Sequence, residues 1–336
     1  MTAPALAPFA VRYRSDDAPR LLDDPGTLAL IGFGAGAATS ADPRALRVPL
    51  APLQDAVPHE QWVVDAAVSY GRDGAVRWAA GGGWLYAAIE LDEAAHGGAE
   101  AAAEYAYRRL GAFTAARPER HVQRIWNYLG AINAGEGDDE HYRRFCSGRA
   151  RGMAPYFAAY PAATAIGHGG APGLLQVYWL AATAPGVAVE NPRQVSAWRY
   201  PRQYGPTAPT FARAERLPGE TGLAISGTAA VVGHATRHAG DVLAQLDETL
   251  ANLDALQAAA GLASGFDAAS PLKVYVREPR DARAIAARLR ARLAPEVPRL
   301  LLQGDICRRD LLVEIDGWRF ESGERGAAVK GVGSRE

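Results

Sequence analysis

Across residues 99–114 apolar side chains return every three or four positions, at Ala103, Ala106, Leu110 and Phe113, until Pro118 ends the pattern. That spacing predicts a helix with one buried face. A longer helix follows Asp241, where Val242, Leu246, Leu250, Leu253 and Gln257 share one side and Gly261 closes the run. Two more helices are expected, one opening at Asp138 or Asp139 and one over 281–293. Behind an opening segment rich in Asp, Pro and Ala, apolar runs predict strands over 27–36, 84–90, 122–129, 174–181, 272–276 and 309–316, and one ending at Thr228. Shorter apolar segments lie at 161–167 and 297–302. Both halves repeat the order strands, long helix, strand, helix, strands. Helices covering one face of a mixed sheet produce that order, so an α+β (mixed α/β) fold of two units, 1–186 and 187–336, is expected.

The 336 residues are 49% apolar, and 36 basic side chains nearly balance 37 acidic ones, for a formal charge of −1. Such a chain has no field to attract a phosphate backbone and no basic run interleaved with aromatics, which argues against nucleic acid as a partner. The most apolar stretches are cut by Pro155, Pro161 and Pro185, so no membrane span is expected. The first ten residues carry prolines and no cation precedes Arg12, unlike an export signal; the expected location is the cytoplasm. Cys146 and Cys307 are too few for a disulfide framework and are read as reduced thiols.

Some chemical signals fail on inspection. Gly32-Phe-Gly-Ala-Gly-Ala37 imitates a dinucleotide loop, but Pro43 and the extended pattern over 47–50 leave no helix to hold a pyrophosphate. His234 and His238 are four apart without the glutamate of a zinc-protease helix, and neither cysteine sits in a metal-type pair, so no metal and no cofactor are expected. The informative residues are charges where the pattern calls for apolar groups. Tyr142, Phe145, Cys146 and Arg149 fall on one helix face, placing Tyr142 and Arg149 about 10 Å apart along the axis. The arginine either grips a small elongated anion or meets a structural partner. Glu314 sits among Leu311, Leu312, Val313 and Ile315. It is either a desolvated acid with a raised pKa or the partner of Arg299, Arg308 or Arg309. The connector 190–206, with Arg213 beyond it, carries four arginines and two tyrosines on a path fixed by three prolines. Such a loop either lines a carboxylate pocket or joins two domains.

Arg124-Ile-Trp-Asn-Tyr-Leu129, the run His141-Tyr-Arg-Arg-Phe-Cys-Ser-Gly-Arg149, the connector, Ile225-Ser-Gly-Thr-Ala229 and Gln245-Leu-Asp-Glu-Thr-Leu-Ala-Asn-Leu-Asp254 together resemble the chorismatase family. The likeness is close over roughly 120–317 and loose before it. The second half also resembles the small Rid proteins that hydrolyse enamines and imines. The resemblance implies two Rid-like units with the active site between them, Glu314 as the catalytic carboxyl, and Tyr142, Arg149, Tyr200 and Arg213 as substrate contacts. It implies chorismate as the substrate and pyruvate as one product. Cys307 fits the type that yields 3-hydroxybenzoate, sometimes with 4-hydroxybenzoate, whereas Ala229 stands where some of those members have Gly. The alternatives are a hydrolytic chorismatase giving 3,4-dihydroxycyclohexa-1,5-diene-1-carboxylate, or an imine hydrolase or carboxylate binder using Arg299 and Glu314. Rid proteins form trimers; two fused units favour a monomer.

Overall fold

The computed structural model describes residues 6–53, 59–169, 173–220 and 222–320. The first five residues, part of the N-terminal reading above, lie outside them. The chain begins with β1 (Phe9–Arg14), the short helix α1 (Ala18–Leu22), β2 (Thr27–Phe33), β3 (Ala45–Val48) and β4 (His59–Val64), a four-stranded sheet ordered β1-β4-β2-β3. The sequence pattern shows β2 and part of β3 but not a separate sheet. The reason is visible in β4, where Glu60, Gln61 and Trp62 are all buried, so neither alternation nor an apolar run marks the strand. After Phe33 the chain makes a turn at Gly34 (φ 83°) and continues to β3 with no intervening helix, so the glycine-rich loop is a turn between strands.

Next come β5 (Ser69–Asp73), β6 (Val76–Gly81), β7 (Trp84–Asp92), α2 (Ala99–Ala115), β8 (His121–Gly130), α3 (His141–Met153), β9 (Ala162–His168) and β10 (Leu174–Ala182). The remainder is β11 (Val187–Val189), β12 (Ala214–Arg216), β13 (Leu223–Ala229), a small ribbon of β14 (Val231–Val232) and β15 (Ala235–Thr236), α4 (Val242–Ala259), β16 (Leu272–Val276), α5 (Ala282–Arg292), β17 (Arg299–Gln303), β18 (Asp305–Ile306) and β19 (Val313–Arg319). A seven-stranded sheet runs β18-β9-β8-β10-β7-β6-β5 and a six-stranded one runs β11-β12-β13-β19-β16-β17. The strand expected over 309–316 starts at Val313; the residues before it form the turn that delivers it. Just upstream, β18 leaves its own half and pairs with β9, Ile306 opposite Ile166.

Helices pack on the outer faces: α2 and α3 on the seven-stranded sheet, α4 and α5 on the six-stranded one, α1 on the first. Asp241 caps α4 by accepting from the N–H groups of Leu243 and Ala244 at 3.1 and 3.0 Å. The inner faces of all three sheets meet in a core rich in aromatics, where Trp126 stacks on Tyr178 at 4.9 Å and contacts Trp62 at 5.3 Å and Trp318 at 5.6 Å. Four fully buried charges lie at this junction, one or more from each sheet. Lys273 donates to Glu60 at 2.8 Å, Arg124 donates to Asp316 at 3.2 Å, and Lys273 stands 3.8 Å from Asp316. Among the described residues no helix is long and apolar enough to cross a membrane.

Candidate active site

A cavity of about 460 Å³ opens in the seam where β9 faces β13 and β19, with α3 and the 190–213 connector completing its wall. Tyr142, Arg149, Tyr200, Arg213, Ala229, Cys307 and Glu314, far apart in sequence, all line it.

Alternation along β19 sends Val313 and Ile315 into the helix-covered core and Glu314 with Asp316 toward the seam. Glu314 is 5% exposed and forms no ion pair among the described residues. None of the three arginines that might have paired with it does so. Arg308 donates to His234 O and Thr236 Oγ1, Arg309 donates to Asn133 O and Gly135 O, and Arg299 is not on the cavity wall. Burial, reinforced by the Asp316 carboxylate, pushes the Glu314 pKa up to about 8, against a weaker pull from Arg124, Arg213 and Arg277. The group therefore keeps its proton at neutral pH and can act as an acid.

Ala229 lies directly opposite Glu314 in the β13–β19 ladder. Its carbonyl is held by Asn252 Nδ2 at 3.0 Å, while Gln245 accepts from Leu312 N–H and donates to Asp310 O, both at 2.8 Å. These amides on α4 fix both strands that meet at the acid, which accounts for polar residues on the buried face of that helix. The Cys307 thiol is pushed up to about 12 by burial and by Glu314, so it stays neutral.

Two guanidinium groups face the same space. Arg149, 2% exposed, rides on α3, donates to Thr210 O at 2.9 Å and lies over the Tyr107 ring; its Nε has no partner. Helix α3 can bring it there because Gly148 and Gly152 let the helix touch α2, where a methyl at Gly148 would collide with Glu100 O. Arg213, 4% exposed, donates to Tyr200 Oη at 2.6 Å and Val195 O at 2.8 Å, and its Nε is also unpartnered. Among the described residues no carboxylate forms an ion pair with either guanidinium; Glu190 Oε1 accepts instead from the Arg213 backbone N–H at 3.2 Å. Tyr142, half-buried, stacks on Phe145 at 6.2 Å and lines the wall, its pKa raised by burial.

Thr164 and Gly227, not singled out from the sequence, and Arg308, read there only as a possible partner of Glu314, complete the wall. Thr164 on β9 has no local signal at all. Gly227 lies within the Ser-Gly-Thr run, but nothing in that run reveals that a methyl there would meet Glu314 Oε1. Arg308 spans the rings of Tyr204 at 3.9 Å and Tyr200 at 5.1 Å, stiffening the connector. His234 and His238 are not brought together with each other as ligands: one contacts Tyr204, the other pairs with Glu248.

Fold and cavity define the class: an α+β protein with a proton-bearing carboxyl and two buried guanidinium groups in the seam between its sheets. Residues 60–181 match the family model described as Chorismatase FkbO/Hyg5-like, N-terminal. A 3-hydroxybenzoate synthase of Streptomyces hygroscopicus is 36% identical over 276 residues, 77% of this chain and 80% of that protein. A chorismatase of Streptomyces rapamycinicus is 36% identical over 342 residues, 94% of this chain and 99% of that protein. A crystal structure of a chorismatase superposes with a TM-score of 0.83 at 31% identity, covering 94% of this chain and 100% of that one. The chain belongs to the chorismatase family.

Proposed function

We propose that this enzyme converts chorismate to 3-hydroxybenzoate and pyruvate, with Glu314 as the acid. The observation that carries the reading is one protonated carboxyl and two unpaired buried guanidinium groups on a single cavity wall. Chorismate has a carboxylate on its ring and another on its enolpyruvyl group, which Arg149 and Arg213 complement, while Tyr142 and Tyr200 offer ring surface and a hydroxyl. Glu314 gives its proton to the terminal methylene of the enol ether, leaving an oxocarbenium ion. The neighbouring ring hydroxyl then attacks the ring carbon that bears the ether. The carbon–oxygen bond breaks, its electron pair becomes part of the keto group of pyruvate, and the hydroxyl proton returns to Glu314. The strained ring ether opens and aromatises, so no water enters the product. The neutral Cys307 thiol near Glu314 supports this route over hydration, while Ala229, opposite Glu314 in the ladder, is the departure from the 3-hydroxybenzoate type.

Residues from both units, 1–186 and 187–336, line the cavity, which supports a site closed between them within one chain. Purified protein given chorismate alone is expected to release pyruvate, read by coupled lactate dehydrogenase, with 3-hydroxybenzoate as the product peak by chromatography. Glu314→Gln should lower kcat by about a hundredfold or more while binding persists, since shape survives and only the transferable proton is lost. Wild-type turnover in that variant would refute the assignment of the acid.

A further inference from the structure

The ladder between β13 and β19 slips between Ile225 and Thr228, leaving Gly227 in an irregularity against the Glu314 carboxyl. Its N–H instead donates across the seam to Thr164 Oγ1 at 2.9 Å. The same hydroxyl donates to Asp316 Oδ2 at 2.8 Å and accepts from Arg124 Nη2. Asp316 Oδ2 also accepts from Trp126 Nε1 and Tyr275 Oη, each at 3.0 Å, so Thr164 is tied to the fully buried charge junction. Gly227 has no room for a side chain because Glu314 Oε1 lies against it, with the Thr164 methyl 3.3 Å from where a Cβ would stand. The peptide at the acid's back is thus fixed by a residue from the opposite sheet.

We propose that Thr164 is a positioning residue for proton transfer: its hydroxyl supplies the bond that the ladder lacks at Gly227 and so sets where the Glu314 carboxyl stands relative to the bound vinyl ether. This rests on the reading of Glu314 as the acid. Thr164→Val keeps the β-branched shape and removes the hydroxyl. Its kcat for pyruvate release is expected to fall about ten- to a hundredfold, as small misplacements of a reacting group do, with KM within about threefold of wild type. Thr164→Ser should recover most of the kcat, and adding Thr164→Val to Glu314→Gln should cost nothing further. Thr164→Ser against Thr164→Ala gives the same comparison of hydroxyl with no hydroxyl should the valine variant not fold. Wild-type kcat in Thr164→Val, or a serine variant no better than alanine, would overturn the assignment while leaving the acid in place. A wild-type protein that releases no pyruvate would overturn the functional reading and this inference with it.

Discussion

Glu314 is neutral for a reason that can be read in two independent measurements. Its pKa lies near 8 in the folded protein and near the ordinary carboxyl value when unfolded, so the folded state binds the extra proton between those limits. As pH rises from about 4.5 through 8 that proton is lost from the native state and the corresponding stability goes with it, on the order of a few kcal/mol. On the proposed mechanism turnover uses the same proton, so kcat/KM is expected to be level on the acid side and to fall as pH passes about 8. Glu314→Gln, which cannot ionise, should have a higher Tm than wild type at pH 9 and a much smaller advantage at pH 5, by scanning calorimetry. A profile that stays level to pH 10, or a variant less stable at both values, would remove the buried acid from the mechanism.

At the level of elements, helix α3 carries Tyr142 and Arg149 to the cavity, and its position depends on backbone contact with α2 at Gly148. Gly148→Ala places a methyl against Glu100 O and must push the helices apart. We expect a loss of about 1–3 kcal/mol, seen as a Tm several degrees lower, with a raised KM because the guanidinium moves with its helix. An unchanged KM would show that Arg149 does not hold substrate. The aromatic and cationic face of α3 was legible in the sequence because its residues share a 3.6-residue period. The contact at Gly148 was not, because nothing in one helix announces where another will touch it. The long helices, β10 and β16 were legible for the same reason of strong local pattern. The first sheet escaped because β4 buries both faces, and Thr164 and Asp316 escaped because a bond spanning 152 residues leaves no periodic trace. Glu314 and Arg149 stood out because each broke a pattern that was otherwise apolar.

In the whole molecule the three sheets converge on Glu60, Lys273, Asp316 and Arg124, all shut off from solvent. Burial alone would lower the Lys273 pKa, but the Asp316 and Glu60 carboxylates hold it above its ordinary value, so it remains a cation. One positive charge from β16 thus answers carboxylates from β4 and β19, and the first sheet is joined electrostatically to the strand that bears the acid. Lys273→Met would leave Glu60 without its cation and Asp316 with Arg124 alone. Removing one member of a buried pair costs about 3–5 kcal/mol, so the midpoint of thermal unfolding should fall by roughly 6–15 °C. Lys273→Met with Glu60→Gln removes the stranded charge yet keeps an acceptor for Trp62 Nε1, which donates to Glu60 at 2.8 Å in the native protein. That double variant should regain a large part of the lost stability. If it unfolds as early as the single variant, the junction acts through packing rather than charge, and the electrostatic link between the first sheet and β19 does not exist.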